Sequence, residues 1–269
     1  MIADIWHSAQ EEHQELAPWL AFGRDVAIAQ AEARAGIIRP ALAVDDPLRA
    51  RRIEAGQLQL PAEELSIEVD AFGELATTIL GVIAAHYPDA IEPLTVPASS
   101  APLWETLARE ALQRASRAVD LLAGDALSLA VSLALEPLLR PLAVQILAHL
   151  DVTPWRRAHC PICGAVPEFA LLSEDNGTRH LVCGRCDTRW PIGRLGCPFC
   201  RTVEHARIRY YPSEDGGYRL YVCDVCGCYF KVVDQRQARR QFLVAIERIL
   251  TLPMDLAAEQ QGYHPPSGE

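Results

Sequence analysis

A chain of 269 residues, half of them hydrophobic, is long enough to bury one large core or two modest ones. Its net charge of -10 comes from residues 1–155, which carry -12, whereas residues 156–235 carry +2. An acidic body beside a nearly neutral module is a poor match to nucleic acid, and nine cysteines behind a polar, acidic N-terminus point to metal ligands in a reducing compartment, by default the cytoplasm, rather than to disulfides.

The N-terminal part reads as helical. Trp19 to Ala35 has helical character and ends near Gly36, and Pro40 to Arg52 reads as a connection into a short charged helix. From Asp70, a candidate N-cap, Phe72, Leu75, Ile79, Val82 and Ile83 keep helical spacing to His86, where Tyr87 and Pro88 stop it. A loop from Pro93 to Pro102 follows. Ser100 can cap the next helix, whose stripe is Trp104, Leu107, Ala108, Ala111, Leu112, Ala115, Val119 and Leu122, closed by Gly124. After Asp125, the apolar segment Ala126 to Leu150 is interrupted by Glu136, Pro137, Arg140 and Pro141. It is expected as a buried, kinked helix pair and not as a membrane span.

Pro154 to Arg157 read as a hinge into a cysteine-rich module. There, eight cysteines form four Cys-x-x-Cys pairs, 160/163, 183/186, 197/200 and 223/226. Two cysteines three apart on a tight turn can bring both thiolates to one ion, so two such turns make a four-sulfur cage. The pairs lie in a repeat: Cys160-Pro-x-Cys163 recurs as Cys197-Pro-x-Cys200, and Ser173-Glu-Asp-Asn-Gly177 as Ser213-Glu-Asp-Gly-Gly217. Asn-Gly and Gly-Gly are hairpin turns, with Leu181 and Val182 or Leu220, Tyr221 and Val222 on the returning strands. Each hairpin brings its own two turns together, which groups Cys160, Cys163, Cys183 and Cys186 on one metal and Cys197, Cys200, Cys223 and Cys226 on another. Interleaved cages use similar spacings and stay open. Zinc and iron also stay open, because both accept four thiolates in a tetrahedron.

Cys228, the ninth cysteine, is expected as a small packed residue, and His159, His180 and His205 as surface or outer-sphere neighbours of the cages. Trp190, Tyr210, Tyr211, Tyr221, Tyr229 and Phe230 are weighed as a binding surface against packing over the turns, and packing is the commoner job. No catalytic constellation stands out, and the chain is expected not to be an enzyme. Gln235 to Leu250 reads as helix, Met254 to Gln260 as one more short turn of helix, and Tyr263 to Pro266 as a loose tail. The fold class is therefore α+β: an α-helical domain at 1–153, ribbons at 154–194 and 195–234, and a C-terminal helix and tail at 235–269.

These motifs resemble the FdhE-type formate dehydrogenase accessory proteins. The resemblance rests on Cys160-Pro-Ile-Cys163-Gly164-Ala-Val-Pro167, Leu181-Val-Cys183-Gly-Arg-Cys186 with Trp190 and Arg194, and Cys197-Pro-Phe-Cys200. It extends to Cys223-Asp-Val-Cys226 with Tyr229, Phe230 and Lys231, and to Asp255-Leu-Ala-Ala-Glu-Gln-Gln-Gly262-Tyr263. It covers about residues 155–265, with Arg201 departing from the glycine at Gly164. The resemblance implies two tandem rubredoxin-like or zinc-ribbon-like folds, iron among the metals to be considered, and a cytoplasmic maturation factor that binds the catalytic subunit of respiratory formate dehydrogenase before twin-arginine export. Two other functions fit the cysteine pattern: a rubredoxin-like iron protein that assists electron transfer, and a zinc-ribbon nucleic-acid binder, which the acidic body disfavours. No membrane insertion is expected, and self-association stays open.

Overall fold

The structure, a computed structural model, describes residues 2–33, 47–90, 101–114, 126–237 and 242–266. The N-terminal part is helical: α1 (Ile2–Glu12), α2 (Ala17–Ala33), α3 (Leu48–Glu54), α4 (Val69–His86), α5 (Ala101–Gln113) and α6 (Ala126–Leu147). The apolar spacing of α4 buries Phe72, Leu75, Ala76, Ile79 and Ile83 on one stripe, and Tyr87 terminates it. Asp70 is not the cap: the helix begins one residue earlier, and Asp70 sits in its first turn, where a carboxylate meets the positive end of the helix dipole. On α5, Trp104, Ala108, Ala111 and Leu112 are buried and Pro102 occupies the first turn. Ser100, Ala115, Val119, Leu122, Gly124 and Asp125, with the segments 34–46 and 91–100, lie outside the described residues.

The expected kinked pair is one helix. Pro137 and Pro141 both lie inside α6, and thirteen of its residues, Glu136 among them, are buried. A proline forfeits one backbone hydrogen bond, but this helix packs against its neighbours on most of its circumference, and that burial outweighs the local break. By length and hydropathy α4 and α6 could each cross a membrane, yet 61% of the apolar window in α6 is buried inside the protein.

The C-terminal part is a six-stranded sheet in the order β3-β2-β1-β6-β5-β4. Its strands are β1 (Pro167–Leu172), β2 (Arg179–Cys183), β3 (Arg189–Pro191), β4 (Ile208–Pro212), β5 (Tyr218–Cys223) and β6 (Tyr229–Asp234). The Asn-Gly hairpin joins β1 to β2 with Ala170 opposite Leu181, and the Gly-Gly hairpin joins β4 to β5 with Tyr210 opposite Tyr221. Each repeat adds a third strand, and the two ribbons fuse where β1 runs parallel to β6, Ala170 beside Val232 and Leu172 beside Asp234.

Two short helices close the chain, α7 (Val244–Leu250) and α8 (Leu252–Gln260). The helix expected from Gln235 starts late, because β6 and a turn occupy the chain through Gln237. Nor is the Tyr263 to Pro266 tail loose. His264 N–H donates to Gly227 O at 3.0 Å, Tyr229 N–H donates to His264 O at 3.0 Å, and Tyr263 Oη bonds Asp224 Oδ1 at 2.6 Å.

One core runs through both halves, from Phe72 and Leu139 in the helices to Cys160, Trp190 and Val232 in the sheet. Trp155, read as part of a hinge, is 1% exposed and donates its indole N–H to His159 O at 2.8 Å. A buried tryptophan with its N–H satisfied anchors the junction.

Candidate metal centres

Each Cys-x-x-Cys pair sits in the same turn. The N–H of the first cysteine donates to the carbonyl five residues on, Cys160 to Ala165, Cys183 to Thr188, Cys197 to Thr202 and Cys223 to Cys228, at 2.9–3.0 Å. Closing so tight a loop forces the residue after the second cysteine into the left-handed region: Gly164 at φ 75°, Asp187 at 59°, Arg201 at 61° and Gly227 at 74°. The arginine that breaks the glycine pattern therefore adopts the glycine conformation, and the two first turns of the repeat match.

The sulfurs gather in two groups by hairpin, not interleaved. Sγ atoms of Cys160, Cys163, Cys183 and Cys186 all lie within 4.8 Å of one another, as do those of Cys197, Cys200, Cys223 and Cys226. The closest approaches are 3.5–3.6 Å in the first group and 3.7–3.8 Å in the second. A tetrahedron of thiolates at about 2.3 Å from one ion has edges of about 3.8 Å, whereas a disulfide would bring sulfurs to about 2.05 Å. The spacing fits an ion in each group.

Electrostatics agree. Burial pushes the Cys160 and Cys186 thiols well up, while hydrogen bonds from Cys160, Cys183 and Cys186 pull Cys163 well down. Four buried sulfurs cannot all ionise together unless a cation joins them. Amide donors reinforce the cage, with Ile162 N–H to Cys160 Sγ at 3.4 Å and Arg185 N–H to Cys183 Sγ at 3.3 Å.

The two groups differ in their contact with water. All four cysteines of the first are buried, whereas in the second Cys200 is exposed and Cys226 half-buried. His159, His180 and His205 belong to neither group. His159 is held by its backbone to Trp155, and burial lowers its imidazole pKa. Cys228 is buried, with Sγ 3.7 Å from His264 Nδ1.

Residues outside the sulfur shell tie these turns to the rest. Arg185 donates to the carbonyls of Ala111 at 2.8 Å and Arg114 at 2.5 Å, capping the end of α5. Arg248 on α7 reaches Asp187 at 2.6 Å and Glu136 on α6 at 3.0 Å, and Arg140 joins the same two carboxylates. Lys231 on β6 bonds Glu168 on β1 and Asp255 on α8. Sequence patterning missed these links, since nothing local pairs Lys231 with an acid 63 residues before it. Only its place in an apolar strand hinted at burial.

A helical body carrying two four-cysteine ribbons fused into one sheet defines a class of protein with two groups of sulfurs that could each hold a metal ion. Residues 159–194 match the family described as FdhE, central domain. Proteins named FdhE from Escherichia coli strain SE11, Shigella boydii and Escherichia fergusonii are each 30% identical over 112 residues, covering 40% of this chain and 35% of theirs. The alignment thus spans about a third of the length of these relatives. The crystal structure of the FdhE protein from Pseudomonas aeruginosa shares the fold, with a TM-score of 0.60 and 22% identity over 98% of this chain and 94% of that one. The likeness to FdhE proteins therefore lies in the cysteine-rich part at the level of sequence and extends over the chain at the level of fold.

Proposed function

We propose that this protein is a cytoplasmic accessory factor that holds the immature catalytic subunit of a formate dehydrogenase during assembly. It acts by binding and not by turnover. In this proposal, Cys160, Cys163, Cys183 and Cys186 ligate one metal ion and Cys197, Cys200, Cys223 and Cys226 a second, and both ions are structural. The observation that carries the proposal is the joint presence of an FdhE central-domain match over the first cage and two sulfur groups at tetrahedral spacing. A cage closed by four thiolates leaves no coordination position for substrate, which favours architecture over catalysis. Affinity purification from a cell making formate dehydrogenase tests the proposal. The catalytic subunit should co-purify, and formate-dependent dye reduction in membranes should be lost in a deletion strain. Undiminished activity in that strain overturns it.

One observation favours a second reading for the second cage alone. Exposed Cys200 would place an iron ion near the surface, where it could exchange one electron with a partner. Anaerobically purified protein would then absorb visible light and bleach with dithionite, and colourless protein holding two zinc ions would exclude that role.

A further inference from the structure

A cavity of about 270 Å³ opens between the sheet and the segment joining the two ribbons. It is close to the ~300 Å³ at which small-molecule sites begin. Cross-strand pairing places three rings in a row beside it, Tyr210 opposite Tyr221 and Tyr221 opposite Phe230. Tyr210 stacks on Tyr221 with centroids 5.3 Å apart and planes at 25°, and Tyr221 stacks on Phe230 at 4.9 Å and 13°. Phe199, from the third cysteine turn, closes the inner end edge-on at 6.0 Å. The outer end is Tyr210 on edge strand β4, 55% exposed, so the stack stops with a ring in water.

Charge is as lopsided as the ring stacking. Arg179, Arg194, Arg219 and His205 line the cavity and no carboxylate does. Buried Arg179 donates to the carbonyls of Gly193 and Gly196 and has no carboxylate partner among the described residues. Exposed Arg194 makes no ion pair among them either. Arg219 and Arg236 share one carboxylate, Asp234, each at 2.7 Å. In a chain of net charge -10, this local excess of guanidinium is the footprint of an anion site. Two guanidinium groups also lie over the rings, Arg219 at 6.0 Å from Tyr210 and Arg179 at 5.3 Å from Phe230.

We propose that this cavity binds a nucleoside phosphate, whose heterocycle continues the stack at Tyr210 and whose phosphate takes the Arg194 and Arg219 guanidinium groups. An aliphatic anion would leave the exposed Tyr210 ring unstacked on its outer side, and a neutral aromatic would leave Arg194 and Arg179 without an anionic partner among the described residues. Only a planar ring bearing an anionic group answers both. The site goes beyond the assembly role proposed above and depends on neither the client subunit nor the identity of the metal.

Isothermal titration of the full-length protein with AMP and GMP, and separately with adenosine and inorganic phosphate, tests it. Arg194→Ala and Tyr210→Ala change exposed side chains, and an unchanged circular dichroism spectrum and metal content confirm that they fold. Saturable, salt-sensitive binding of at least one nucleotide is expected, at least tenfold tighter than adenosine or phosphate alone and weakened at least tenfold in each variant. Lack of saturation at millimolar nucleotide, phosphate alone binding as tightly, or wild-type affinity in either variant overturns the proposal.

Discussion

Lys231 Nζ lies 2.8 Å from Asp255 Oδ2 while its side chain is wholly out of water, so the ammonium reads its environment from that carboxylate and from Glu168 at 2.9 Å. Tyr229 donates to the other oxygen of Asp255 at 2.7 Å. The cluster fastens β6 to β1, the seam between the ribbons, and to α8, which lies over the second ribbon. Breaking a buried ion pair by removing one partner strands the other charge, at a cost of about 3–5 kcal/mol.

Lys231→Met should therefore lower the free energy of unfolding by about 3–5 kcal/mol. Urea melts followed by circular dichroism give the number. A variant within 1 kcal/mol of the parent would mean that the carboxylates find other partners.

Metal release should be biphasic. Chelator challenge with metal-sensitive dye should strip the second group first, because Cys200 is exposed and Cys226 half-buried, whereas all four sulfurs of the first group are buried. Cys200→Ser should remove the fast phase alone, and Cys183→Ser should leave one ion per chain. Equal release rates would contradict the difference in accessibility.

Arg201 and Gly164 occupy the same conformation with different side chains. Arg201 sits at φ 61°, a region that costs a residue with a Cβ about 1–2 kcal/mol. Replacing it with glycine should raise stability by up to about 1 kcal/mol, after allowing for the greater freedom of glycine in the unfolded chain. Gly164→Ala should do the reverse, since an added Cβ at φ +75° would also meet Leu58 Cδ1 at 2.8 Å. Chemical denaturation of the two variants side by side reads both signs.

Asp234 ties stability to acid. A hydrogen bond from Arg236 holds its carboxyl below the ordinary range against the opposing effect of burial, with Arg219 adding to the charge. A carboxylate whose folded pKa is depressed contributes stability that is complete above its unfolded pKa of about 3.9 and disappears as pH falls through the folded value. Unfolding free energy measured from pH 6 to pH 2 should fall below about pH 4, and Asp234→Asn should be less stable at neutral pH with a flatter acid limb.

Much of this was legible from local signals. Four Cys-x-x-Cys pairs, a repeat and two Gly-containing turns specify hairpins, and hairpins bring paired cysteines together without help from elsewhere. What the chain hides is nonlocal. The parallel contact of Ala170 with Val232 joins strands about sixty residues apart, and no periodicity announces it. Pro137 and Pro141 mislead for the opposite reason, since each is a local breaker overruled by burial that only the assembled helices supply. Tyr263 reads as tail because its sequence is polar and proline-flanked, yet its hydroxyl reaches Asp224 and Arg209 across the sheet. Cys228 packs as expected, but beside a histidine 36 positions away.

The β1–β6 seam also limits how this molecule can be cut. Produced apart, each half would display an open rank of amides and carbonyls along an apolar strand, Ala170 to Leu172 on one side and Val232 to Asp234 on the other. Such raw margins zip onto any matching neighbour, so severed halves would be expected to clump or to pair with their own kind. The intact molecule escapes that fate by mating its two margins to each other.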